Sequence, residues 1–267
     1  AQTTVPALIT SNQTWDITGS PYLITQNTFI DTGVSVIVKP GAIVNFMGNY
    51  KLSVDGEFQA VGKVDSVIII TNAQISLSAK SVGYNDSTMR GAFFQYCDIA
   101  GAGTAMQTIN MSTSGIRIDH CNFTKGYYAL YITNSSIPAK VIVTNSDFSG
   151  DSTNYGYPIY MSTGNVEIII TDNHFHDAYY LNLYGTITFQ NNVSENLKAV
   201  NYTFNGDASI TCNTFKNMSN GIQLNVSAYG IAVAIDFSNN TLDSLGTSSY
   251  NPMLQLNRYS PSYAIRS

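Results

Sequence analysis

Apolar residues recur along this chain in one repeated phrase: apolar, any, apolar, two of any kind, a small residue or Asn, any, apolar. It reads Ile68/Ile70/Ala73/Ile75, Ala92/Phe94/Cys97/Ile99, Ile116/Ile118/Cys121/Phe123, Val141/Val143/Ser146/Phe148 and Ile168/Ile170/Asn173/Phe175. It continues as Ile187/Phe189/Asn191/Val193 with one residue dropped, then Ala208/Ile210/Asn213/Phe215 and Ile235/Phe237/Asn240/Leu242. The last anchors of successive phrases lie from about 18 residues apart (Phe175 to Val193) to about 27 (Phe148 to Phe175), the mark of one structural unit repeated with loops of varying length. The period inside each phrase is two, which predicts short strands, and the two-residue gap is where the chain bends. A second strand follows in most units, as in "GYYALYIT", "YPIYMS", "YYLNLYG", "AVNYTF" and "GIQLNVS".

Units this short leave no room for a strand plus a crossover helix, which takes about 30 residues. They fit single coils of a β-solenoid, each strand pairing in parallel with its copy one coil away, so that equivalent residues stack about 4.8 Å apart. Ile75, Ile99, Phe123, Phe148, Phe175, Val193, Phe215 and Leu242 then form a hydrophobic column. The column two residues earlier ends in Asn173, Asn191, Asn213 and Asn240, expected to be an inward ladder whose amides satisfy backbone groups freed at the bend. The stretch "SVIVKPGAIVNFMGNYKLSVDGEFQAVG" also alternates, around a Pro40-Gly41 turn. It resembles the opening coils of right-handed parallel β-helix proteins of the pectate-lyase-like superfamily. The later units, above all "NTFKNMSNGIQLNVS", resemble the parallel β-helix repeat of extracellular carbohydrate-active and surface proteins. The resemblance covers Trp15 to Leu245 and implies an all-β, right-handed parallel β-helix of about ten coils. Residues 1–14 are expected to be an N-terminal extension, 15–245 the β-helix, and 246–267 a capping or assembly segment.

Composition sharpens this picture. Hydrophobic residues make up 44% of the 267 and charged residues only 11%, against a usual charged fraction of about 25%. The polar surface is therefore built from Asn, Ser, Thr, Gln and Tyr. A net charge of −5 with 12 Lys and Arg supplies no basic stripe for nucleic acid. The longest tight apolar run, "VIII" at Val67–Ile70, is strand-sized, so no membrane span is expected. The small residue at the start, with no initiator Met, is what signal-peptide cleavage leaves, and a secreted, cell-surface location is expected. Cys97, Cys121 and Cys212 lack zinc-ligand spacing. Cys97 and Cys121 share one column on neighbouring coils, close enough for a disulfide, although parallel stacking points both side chains the same way.

Candidate chemistry is concentrated in "TDNHFHDAYY". His174 and His176 flank the inward Phe175 and should project together, with Asp147 one coil below and Asp177 adjacent. A carboxylate beside an imidazole can perform acid or base work, and two His with an Asp can hold a metal. Aligned as above, the neighbouring columns place Asn192 and Ser194 beside the histidines and do not extend the site, so the spot is read as solvated surface, with no metal or cofactor assigned. Pectate-lyase-like enzymes hold calcium with clustered acids beside an Arg or Lys base, and related hydrolases group aspartates. Here Arg90, Arg117, Arg258 and Arg266 are scattered and neither motif can be matched, so a catalytic role for Asp147, His174, His176 and Asp177 stands as the alternative.

Asn-x-Ser/Thr occurs at Asn12, Asn85, Asn110, Asn122, Asn134, Asn192, Asn201, Asn217, Asn225 and Asn239, an excess over chance and each a candidate N-glycosylation site. Solenoid ends expose unpaired strand edges that natural proteins either block or use. Sparse charge, many sequons and 18 tyrosines point to an exported, glycosylated structural protein, a self-associating subunit of a filament, sheath or adhesive fibre, rather than an enzyme. The alternatives are a polysaccharide lyase or hydrolase and a module binding extracellular glycans.

Overall fold

The computed structural model describes residues 2–102, 107–133, 138–150, 156–162, 164–227, 233–246, 254–258 and 263–266. Every strand pairing among them is parallel, apart from two isolated antiparallel bridges, Lys63 with Ser66 and Asn85 with Arg90. The chain winds through three faces, here called A, B and C, once per coil. Face A is an eleven-stranded sheet running from Thr3–Thr4 through Asn122–Thr124, Asp147–Ser149, His174–His176 and Val193–Glu195 to Thr241–Leu245. Faces B and C stack alongside. They merge where Tyr180–Gln190 and Ala199–Thr211 run unbroken through the corner between them. The described residues thus make eleven coils.

Short strands with one buried face per coil explain the core. Phe123, Phe148 and Phe175 on face A are buried and stack at 4.7 and 5.1 Å between centroids. The next anchor is Ser194, fully buried, and Phe189 from face C fills the space it leaves, carrying the stack on through Phe215 to Phe237 at 6.0, 6.3 and 6.3 Å. Each such ring pair adds about 0.5–1.5 kcal/mol beyond the apolar area it buries.

The corner from face C to face A is set by one residue per coil in the left-handed region. Tyr96, His120, Asn145, Asp172, Asn191, Cys212 and Asn239 have φ between 47° and 60°, a conformation Asn and Asp tolerate best. The residue after each points inward. There the ladder forms: the backbone N–H groups of Ser146, Asn173, Asn192 and Asn213 donate to the side-chain oxygens of Asn173, Asn192, Asn213 and Asn240, each at 2.9 Å. The amide nitrogens of Asn173, Asn192 and Asn213 donate in turn to the carbonyls of Val143, Ile170 and Phe189 at 2.9 Å.

Four expectations are corrected. The ladder rung of coil nine is Asn192, not Asn191, and its anchor is Ser194, not Val193. His174 pairs with Val193 and Phe175 with Ser194, so no residue is dropped. An apolar anchor was sought where a buried serine stands beneath a borrowed ring. Second, Ile68 and Ile70 lie on face A opposite Cys97 and Ile99, while Phe58 and Ala60 hold the positions expected of them, since Ala60 pairs with Phe94. A turn closed by Lys63 and Ser66 lengthens that corner, and the phrase Ile70/Ala73/Ile75 fits the next corner by coincidence. Third, residues 1–14 are no extension: Thr3–Thr4, Leu8–Ile9 and Gln13–Trp15 pair in register as the first coil. Fourth, Cys97 and Cys121 are free, buried thiols. In the C-terminal segment, Leu254–Arg258 and Tyr263–Arg266 complete the eleventh coil by pairing onto faces B and C.

Candidate functional site: a histidine–carboxylate cluster beside a tyrosine ledge

On a three-residue strand the outer two side chains face away from the core. His174 and His176 therefore project from face A, with Asp147 and Ser149 beneath them and Val193 and Glu195 above. The two imidazoles stack at 4.4 Å and 20°. His174 Nδ1 lies 3.0 Å from Asp147 Oδ1, and His176 Nε2 lies 3.1 Å from Asp147 Oδ2. The opposite nitrogens meet other carboxylates. His174 Nε2 is 3.1 Å from Glu195 Oε1, and His176 Nδ1 is 2.8 Å from Asp177 Oδ2.

Asp177 reaches His176 because it is the corner residue, with φ at 52°. Asn196 Nδ2 donates to its other oxygen at 3.0 Å, and Asn217 Nδ2 donates to Asn196 at 3.2 Å. Lys216 Nζ sits 3.9 Å from Glu195. Burial tends to lower the His176 pKa, but its contacts with Asp177 and Asp147 outweigh that and hold it above the ordinary histidine value. The same contact with His176 holds Asp177 below the usual carboxylate range.

The sequence brought Asp147, His174, His176 and Asp177 together as the structure does. It missed Glu195. The one-residue register error put Ser194 in that position, and keeping the full phrase length through Asn192 would have placed Glu195 above His176. All four ring nitrogens face carboxylates, so none is left free to act as a base toward a substrate. Asp147, His174 and His176 each offer a ligand atom within 4.8 Å of the others.

Around the corner, face B carries a second feature. Tyr128 pairs with Tyr157 and Tyr131 with Tyr160 on the next coil, and Tyr127, Tyr179 and Tyr180 adjoin them. Tyr131 and Tyr160 stack within 4° of parallel, while Tyr127 meets Tyr128 and Tyr157 meets Tyr160 edge to face. Burial and neighbouring phenols push Tyr128 up to about 12, and Tyr157 moves the same way. Lys198 Nζ donates to Tyr179 Oη at 2.6 Å and lies over its ring at 4.4 Å. The ledge is half-buried and wholly neutral apart from this lysine. Above it the outward column turns to amides, Asn182, Asn201, Gln223 and Gln255.

Of the sequon asparagines, Asn12, Asn85, Asn122, Asn217 and Asn239 are exposed, and Asn110, Asn201 and Asn225 are half-buried on face B. Asn192 is 1% exposed and spent in the ladder, which corrects its expected outward position. Asn134 lies outside the described residues.

A family model described as a right-handed β-helix region matches residues 107–257. No curated protein and no solved structure matches the chain. No helix among the described residues is long and apolar enough to cross a membrane.

Proposed function

Because the chain belongs to the right-handed β-helix family, whose members include extracellular and polysaccharide-related proteins, we propose that it is a secreted structural subunit of a filament, sheath or adhesive fibre. The tyrosine ledge carries this reading. Tyr131 and Tyr160 each cover one face of the other, and Tyr127, Tyr128 and Tyr157 pack against neighbouring rings, which leaves fewer open faces to stack on sugars. Tyrosine edges with hydroxyls at hand suit a protein interface, where large apolar area and hydrogen bonding are needed together. A second copy presenting the same ledge is the partner that fits, since a two-fold contact is self-complementary by construction. Such a contact closes a pair, and pairs extend into a filament through a second contact, for which the solenoid ends or terminal segments are the expected surface. Extracellular glycans are the competing ligand. The exposed sequons at Asn85, Asn122 and Asn217 are the glycan acceptors in this account; Asn122 lies on face A, while Asn217 borders the ledge, sharing a surface hollow with Tyr179 and Lys198.

An enzyme acting on polysaccharides would centre on Asp147, His174, His176 and Asp177, but saturation of both imidazoles by carboxylates suits that chemistry poorly. Electron microscopy of the purified chain at high concentration tests the structural reading. Ordered multimers are expected, and a field of discrete monomers counts against it. Cleavage of any polymer in a polysaccharide screen, abolished in His174→Ala, would move the assignment to an enzyme.

A further inference from the structure

We propose that Asp147, His174 and His176 form a binding site for one first-row divalent transition ion, of which zinc is the reference, with Glu195 and Asp177 orienting the two imidazoles. The argument starts from hydrogen counting. A neutral imidazole has one N–H and one lone pair. His174 Nε2 faces Glu195 at 3.1 Å and His176 Nδ1 faces Asp177 at 2.8 Å, so these outer nitrogens hold the N–H. When the rings are neutral, the inner nitrogens, His174 Nδ1 and His176 Nε2, turn lone pairs toward the two oxygens of Asp147 at 3.0 and 3.1 Å. The arrangement calls for positive charge at that point. Protons on the inner nitrogens supply it in the metal-free protein, and a cation can replace them, since Asp147, His174 and His176 offer ligand atoms within 4.8 Å of one another.

The spacing fits such an ion. Bonds of about 2.0–2.1 Å to nitrogen or oxygen in tetrahedral geometry put ligand atoms about 3.3 Å apart, close to the inner separations. The outer carboxylates stand where histidine ligands elsewhere receive their orienting hydrogen bonds, fixing tautomer and ring direction. Two nitrogen donors with a carboxylate select a zinc-like ion over calcium or magnesium, which take oxygen. His176 and Glu195 are 22% and 29% exposed in their side chains, open enough for an ion to enter with water as the remaining ligand. This goes against the expectation from sequence that no metal binds.

Titration of the chelator-treated full chain with zinc chloride by calorimetry tests the proposal. One saturable site is expected, weakened at least about tenfold in His176→Ala and in Asp147→Asn and by about tenfold in Glu195→Gln. His120→Ala should bind as wild type, since that ring lies on another coil against Asp119 and Tyr96. Calcium chloride should give no saturable heat. Wild-type protein without saturable zinc binding overturns the proposal. So does undiminished binding in both His176→Ala and Asp147→Asn, or calcium binding as tight as zinc. All four substitutions are at exposed or half-buried positions, and matching thermal melts confirm that the variants fold.

Discussion

Truncating Asn192 to Ala should destabilise the β-helix severely, while the same change at its neighbour Asn191 should not. The Asn192 side-chain oxygen accepts from the Asn173 backbone N–H at 2.9 Å and from its Nδ2 at 3.0 Å. Its own Nδ2 donates to the Ile170 carbonyl at 2.9 Å and to Asn213 at 3.2 Å. Removing it strands at least one buried N–H and one buried C=O, each costing about 1–3 kcal/mol when unpaired. A small void adds to that, for an expected loss of about 3–5 kcal/mol. Asn191 is exposed with φ at 56°. Ala there meets only the left-handed penalty of about 1 kcal/mol, and Gly should be neutral. Urea denaturation followed by two probes, with slopes compared to confirm a shared transition, reads both values. The reasoning fails if Asn192→Ala costs under about 1 kcal/mol or if Asn191→Ala costs more than Asn192→Ala.

Three further outcomes follow from other parts of the coil stack. Glu57 is 4% exposed; burial raises its pKa, but bonds from Arg90, the Gly91 N–H and Ser35 prevail and hold it below its ordinary 4.5. Its contribution is therefore complete above that value and lost as pH falls through the depressed folded value, so Glu57→Gln should flatten the acid limb of a stability–pH profile while leaving its shape above pH 4.5 unchanged. Tyr202 is fully buried and its hydroxyl has no partner among the described residues, so Tyr202→Phe should leave the urea midpoint unchanged or raise stability by up to about 1 kcal/mol. Glycopeptide mass spectrometry of the chain expressed in a glycosylating host should find sugar at Asn85, Asn122 and Asn217 and none at Asn192, and an occupied Asn192 would contradict the ladder.

Much of the fold was legible because stacking makes like residues repeat. The columns through Phe123, Phe148 and Phe175, and the inward rungs Asn173, Asn213 and Asn240, follow from period and spacing alone. Coil nine broke the pattern where one face fills a column that belongs to another. Ser194 is an acceptable anchor only because Phe189, shortly before it in sequence but on face C, supplies the missing ring, and a pattern that assigns each column to one face does not show that. The first phrase failed for a related reason, an enlarged corner at Lys63–Ser66 beside a sequence that happened to match one corner later. The site inherited the error. His174, His176, Asp147 and Asp177 were found by adjacency, while Glu195 needed the correct coil-to-coil register, since it meets His174 only across strands. The tyrosines were counted, but their gathering on coils six to eight of face B depends on which strand positions turn outward.

Sedimentation velocity across a concentration series, on the wild-type chain and on Tyr131→Ser/Tyr160→Ser, addresses the structural role most directly. Association that rises with concentration in the wild type and disappears in the variant is the predicted result. A wild type that stays monomeric throughout, or a variant that associates equally well, would contradict it.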